Sequence, residues 1–168
     1  TVSVTPGAIS VSNSLITVSS NTVISGGTSN VTLSARDAAG NNLSVGGRTV
    51  VFSLSGGAST GTFGVVVDHA DGTYTSLFTG ITAGTATSVA ATVDGISVTT
   101  TLPTITVTPG AISVATSLVS VSSATVLSGN NVTATLQARD AAGNNLTAGG
   151  STILFSNSGG TSTGNFSA

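Results

Sequence analysis

Gly57-Ala-Ser59-Thr-Gly61 reproduces the Gly-x-Ser-x-Gly spacing with which many hydrolases present a nucleophilic serine. That chemistry needs the serine on a sharp strand-to-helix turn, with a histidine base in hydrogen-bond reach. No helical pattern follows Gly61, and the second occurrence of the spacing, Gly160–Gly164, has no histidine after it. In a chain with 27 Ser, 30 Thr and 22 Gly the match is one that chance supplies. Ser59 is therefore expected to be structural, and the chain is expected not to be an enzyme.

Three other groupings could carry chemistry. Asp68, His69 and Asp71 fall in one turn and could offer oxygen ligands to a divalent cation. Calcium loops place more carboxylates at tighter spacing, and Asp71-Gly72 is accounted for by turn formation. A polar loop is expected, with no metal and no cofactor. Arg36-Asp37 and Arg139-Asp140 hold two of the three Arg and two of the five Asp. Adjacent strand residues point to opposite faces, so neither is a simple ion pair. Asp37 is expected to cap N–H groups of its own turn, and Arg36 to lie on the sheet surface or at an interface. Asn30, Asn42, Asn131, Asn145 and Asn165 each open an Asn-x-Ser/Thr triplet, about as many as chance gives among 11 Asn.

Composition removes whole classes of function. The chain has no Lys, Glu, Cys, Met or Trp. Without Lys there is no Walker-type phosphate loop and no Lys–Asn isopeptide cross-link. Without Cys there is no disulfide and no thiolate zinc site. Three Arg cannot neutralise a run of phosphates or form a polybasic membrane patch, so neither nucleic acid nor membrane insertion is expected. The longest apolar runs, such as Val65–Val67, are far too short to span a bilayer. Low charge and a mean hydropathy of +0.48 over a hydroxyl-rich chain suit an extracellular or virion surface better than cytosol. No signal peptide is visible at Thr1, so an exported protein would be seen here as a mature or excised piece.

The elements that must position these residues come in two copies. TVSVTPGAISV at Thr1 returns as TITVTPGAISV at Thr104, and ARDAAGNNL at Ala35–Leu43 returns at Ala138–Leu146. The offset is 103 residues throughout, and 40 of the 60 positions from Val4 to Phe63 are identical to those from Val107 to Phe166. Such a period signals a string of similar domains: a complete unit over residues 1–103 and the first part of a second over 104–168.

Within the complete unit, Ala8–Val11 and Leu15–Val18 read as a split first strand. Val31, Leu33 and Ala35 alternate with polar residues, as a half-buried strand requires. Asp37–Asn42 reads as a turn. Thr49–Leu54 follows with Val50, Phe52 and Leu54 inward, then a Ser/Gly loop over Ser55–Gly61 and a short strand around Phe63 and Val65–Val67. Thr73–Thr79 alternates with Tyr74 and Phe78 on one side, Gly80–Gly84 reads as a corner, and Thr85–Val93 and Ile96–Leu102 flank Asp94-Gly95, a two-residue hairpin signal. About seven strands and no helix predict an all-β immunoglobulin-like sandwich in tandem. Pro103 and Pro109 make Leu102–Gly110 read as a short, semi-extended linker between units lying end to end.

ARDAAGNNLSVGGRTVVFSLSGG resembles the central signature of bacterial immunoglobulin-like group-1 domains, the invasin/intimin type. DGTYTSLFTGITAGTATSVAATVDG resembles their second half, and its DGTYT run is also similar to filamin-type repeats. The resemblance implies tandem stalk domains of bacterial surface proteins, often adhesins, with recognition in a terminal domain of another type. Two features depart from antibody-type domains. Tyr74 follows a hairpin rather than opening strand F, where Thr85 stands, and the Trp and Cys pair are missing.

The function expected is a structural repeat of a bacterial surface or secreted protein, an adhesin stalk whose partners are neighbouring repeats. The alternative is a subunit or decoration domain of a virion, tail or filament. A carbohydrate-binding module would want exposed aromatics, and one Tyr with no Trp argues against it. Residues 104–168 lack counterparts of Tyr74–Phe78, Thr85–Val93 and Ile96–Leu102. Either the chain stops partway through a unit, or strands of a homo-oligomer or filament neighbour complete it.

Overall fold

A computed structural model describes residues 1–167 and contains β-strands but no helix. Ten strands build the first sandwich: β1 (Leu15–Val18), β2 (Thr22–Ile24), β3 (Thr28–Ser34), β4 (Val50–Ser55), β5 (Thr60–Phe63), β6 (Val67–Asp68), β7 (Thr73–Thr82), β8 (Thr87–Val93), β9 (Ile96–Ser97) and β10 (Thr104–Thr108). Seven have four residues or more; β2, β6 and β9 are shorter. One sheet runs β1-β3-β7-β5 with β6 also on β7, and the other runs β2-β10-β8-β4 with β9 also on β8.

The alternation read from the sequence sets the core. Val31 and Leu33 of β3, Tyr74 and Phe78 of β7, Val50 and Phe52 of β4, and Val89, Ala91 and Val93 of β8 all point between the sheets and are buried. Phe63 packs between Phe52, stacked on it at a centroid distance of 5.8 Å, and Phe78, tilted against it at 5.3 Å. The Asp94-Gly95 hairpin forms between Val93 and Ile96, with φ of 51° and 82° at its two central residues, the left-handed pair that such a turn requires. Asp94 also accepts Thr49 N–H at 3.0 Å and pairs with the half-exposed Arg48 at 3.1 Å.

Four expectations are corrected. Leu102–Gly110 is not merely a linker. Thr104–Thr108 is a central strand, parallel to β2 and antiparallel to β8, so the first sandwich takes in residues beyond 103. Its Ile105 and Val107 are 0% and 1% exposed. Pro103 precedes the paired residues, its carbonyl still accepting Val89 N–H at 2.8 Å, and Pro109 follows them, so neither removes a donor from within the strand. The expected corner at Gly80–Gly84 begins later, because β7 continues to Thr82. Gly80 is buried in that strand, and a Cβ on it would lie 3.1 Å from both Val23 and Val107. Ala8–Val11 makes a single bridge, Ile9 to Asp37, rather than a strand. Ile96–Leu102 pairs only over β9.

The second copy begins the same way. β11 (Leu118–Val121) pairs with β12 (Ala134–Gln137), as β1 pairs with β3, and the bridges Ile112–Asp140 and Arg139–Asn145 repeat Ile9–Asp37 and Arg36–Asn42. Among the described residues β12 has no second neighbour. Leu136, Ile153 and Phe155 line an open cavity of about 360 Å³ where the first unit has its core.

Candidate functional site

Ser59 is positioned by the loop between β4 and β5, and its hydroxyl is a structural pin. The side chain is 2% exposed; its Oγ donates to Gly84 O at 3.0 Å and accepts Val107 N–H at 2.9 Å. It thereby ties β10 to two loops. His69 is engaged elsewhere, its Nε2 lying 2.9 Å from Thr75 Oγ1. The nucleophile-elbow geometry is not formed: β5 follows Ser59 where that motif needs a helix.

The Asp68, His69, Asp71 turn is closed by its own carboxylates. Asp68 accepts Gly47 N–H at 2.6 Å and Ala70 N–H at 2.8 Å, while Asp71 accepts the N–H and hydroxyl of Thr73 at 2.9 and 2.6 Å. Those two bonds hold the Asp71 carboxyl below its usual range, the hydroxyl contributing most. Among the described residues no three His, Cys, Asp or Glu side chains are gathered as a metal would need.

The arrangement that does organise the surface is the repeated Asp-Ala-Ala-Gly-Asn-Asn turn. Asp37 is buried and accepts the N–H groups of Gly7, Ala39 and Asn41 at 3.0, 2.9 and 2.9 Å, plus the Asn41 side-chain amide at 3.0 Å. Gly40 supplies the left-handed residue, with φ of 85°. Arg36 runs along the surface and donates to Asn42 Oδ1 at 3.0 Å. The second copy repeats the backbone and arginine bonds: Asp140 accepts Gly110, Ala142 and Asn144 N–H at 2.8, 3.0 and 2.8 Å, and Arg139 donates to Asn145 at 2.9 Å. Each Asp so joins the chain entering a unit, at Gly7 or Gly110, to the turn after β3 or β12.

The Asn41 amide, followed by the Gly7 and Asn41 N–H groups, holds the Asp37 carboxyl at about 2 against the opposing effect of burial. Burial acts most strongly on Asp140 and pushes it up, yet the N–H of Gly110 and the groups of Asn144 and Ala142 together bring it to about 2. Both folded values lie below the roughly 3.9 of an unfolded Asp. The stabilisation is therefore fully present above about pH 4 and is lost as pH falls toward 2. Urea midpoints measured from pH 6 to pH 2 are expected to fall in that window. Asp37→Asn is expected to flatten part of the fall, and an unchanged slope would remove Asp37 from the linkage.

In the second copy the turn reaches across to the first unit. Asn144 Oδ1 accepts Ala83 N–H at 2.9 Å, and its Nδ2 donates to Ile81 O at 2.9 Å and to Asp140 Oδ2 at 2.8 Å. Gly110 comes so close to the β2–β3 turn that a Cβ would sit 3.1 Å from Ser25 O. Ser25, Gly26, Gly80 and Ile81 thus face Gly110, Ala111 and Asp140–Ala142 across a small-residue joint. These two acceptor–donor contacts were not legible in the sequence, where Asn144 is one of two adjacent turn asparagines.

Residues 10–110 match the family described as Invasin, domain 3. No curated protein sequence matches the chain. Solved structures do. Invasin, a bacterial integrin-binding protein, is 26% identical over 84% of this chain and 29% of its own, with a TM-score of 0.62. The Escherichia coli adhesin FdeC is 29% identical over 86% of this chain and 46% of its own, with a TM-score of 0.61. The Yersinia pseudotuberculosis adhesin InvE is 30% identical over 79% of this chain and 36% of its own, also at 0.61. The chain thus spans less than half the length of each of these relatives. Sandwich, strand content and sequence pattern agree, and the chain belongs to the invasin domain 3 family of immunoglobulin-like adhesin domains.

Proposed function

We propose that this chain is a stalk segment of a bacterial cell-surface adhesin, in which sandwiches in series carry a binding element away from the cell. The observation that carries the reading is the joint. Its two surfaces lie at opposite ends of β3. The β2–β3 turn and Ile81–Ala83 receive the following unit at one end, and the Asp37 turn stands beyond the other. Seven residues of strand separate them by about 20 Å, so units joined this way extend in series. The pairing of β10 supports taking the first unit to Thr108 and starting the second at Pro109. The absence of Lys and Cys and the hydroxyl-rich surface accord with an extracellular position.

Beads coated with residues 1–168 are expected not to adhere to host cells, whereas the full-length protein adheres. Removing one 103-residue period from the full-length protein should weaken adhesion by shortening its reach, leaving affinity for the isolated ligand unchanged. Equal adhesion by beads carrying only this segment would overturn the stalk reading. At the joint, Asn144→Ala is expected to leave the melting temperature of the first sandwich unaltered and to free the second unit's orientation. Residual dipolar couplings for β11–β12 and for the first sandwich should fit one alignment tensor in the parent and two in the variant.

A further inference from the structure

The two copies of the Asp-Asn turn differ in what lies against them: the second has something to hold. Asn144 holds Ala83 and Ile81 of the first unit. Asn41, its equivalent, is exposed. Its Nδ2 folds back on both Asp37 oxygens at 3.3 and 3.0 Å, and among the described residues no donor reaches its Oδ1. The glycines tell the same story. Gly110 is pressed against Ser25 O, while a Cβ on Gly7 would find only its own Asp37, at 3.8 Å. The strands agree as well. Thr1–Thr5 (TVSVT) is the copy of Thr104–Thr108 (TITVT). Ile105 and Val107 are 0% and 1% exposed in the core, and Val2 and Val4 are 95% and 86% exposed.

We infer that Thr1–Thr5 and the Asp37–Asn41 turn are one half of a joint whose other half is a unit of this same kind on the N-terminal side. Thr1–Thr5 is that unit's last strand, seated between its equivalents of β2 and β8 with Val2 and Val4 turned into its core. Asn41 then clasps its equivalents of Ile81 and Ala83, as Asn144 does here. Two exposed valines on an alternating segment are otherwise an unpaired apolar edge, and their spacing matches the slot that Ile105 and Val107 fill. The inference rests on the internal repeat and holds whether or not the array is adhesive.

The test is a longer chain in which residues 1–103 are placed once more directly ahead of Thr1 of the 168-residue chain. By hydrogen exchange, the Val4 amide is expected to slow to the rate of Val107, whose N–H is held by Ser59. A second melting transition, that of the added unit, should appear. Val4→Asp in the longer chain should abolish the added transition alone, and in the 168-residue chain should leave melting unchanged. A Val4 amide that still exchanges as fast as in the 168-residue chain, or an added unit that melts alike with Val4 and with Asp, would overturn the inference. So would the absence of any added transition.

Discussion

A chain carrying Val107→Asp is expected to be unfolded at room temperature, by circular dichroism and by collapse of amide shift dispersion. Val107 is 1% exposed and packs where β7 has no side chain, over Gly80 and beside Val23. Losing its apolar burial costs about 1.5–3 kcal/mol. Placing a carboxylate in the same site costs several kcal/mol more or forces it to protonate. A domain of this size has only about 5–15 kcal/mol in total. The comparison that makes the result specific is Val4→Asp, the same change at the same place in the repeat. Val4 is 86% exposed, so that variant should melt as the parent does. A native melting curve for Val107→Asp would take β10 out of the core and return residues 104–108 to the status of linker.

Ser59→Ala is expected to destabilise the first sandwich by about 1–3 kcal/mol, the penalty of leaving a buried donor unpaired. The Val107 N–H loses its acceptor in a buried site, and the part-buried Gly84 O loses a donor. The thermal midpoint should drop by roughly 4–8 °C for each kcal/mol lost, given a unit of this size. The same residue offers a clean contrast with the chemistry suggested by its Gly-x-Ser-x-Gly setting. A serine acting as a nucleophile would react with a fluorophosphonate probe and could be replaced with little loss of stability. Here neither the parent nor the variant should be labelled, and the variant should be the weaker fold. Labelling of the parent at Ser59 would reverse that assignment.

Most of the sandwich could be read from period-two patterns, because β3, β4, β7 and β8 each bury one face over six residues or more. The Asp94-Gly95 hairpin was legible for a local reason, since few residue pairs tolerate positive φ twice in succession. What escaped was decided at a distance. Thr104–Thr108 looks like linker because prolines bracket it, and only partners some 16 to 84 residues earlier make it a central strand. β2 has three residues, too few for any period to show. Gly80 reads as a corner, yet its missing side chain is what lets β7 pass beneath Val23 and Val107. The Asp37 cap was expected from the turn's composition. The clasp made by Asn144 was not, because an asparagine that closes its own turn and one that grips a neighbour have the same local sequence.

The placement of β10 has a consequence for how such a chain bears tension. The polypeptide enters the first unit at Gly7, held by Asp37, and leaves it through β10 at the other end. A pull between the ends of an array therefore runs along β10 and not across it. The bonds from Thr106 N–H to Asn21 O, Ser25 N–H to Thr108 O, Val89 N–H to Pro103 O and Val107 N–H to Ser59 Oγ are loaded together. They must be sheared as a set, and none can be peeled open ahead of the rest. Under such a pull the strand that joins the first unit to the second thus also clamps the first unit closed.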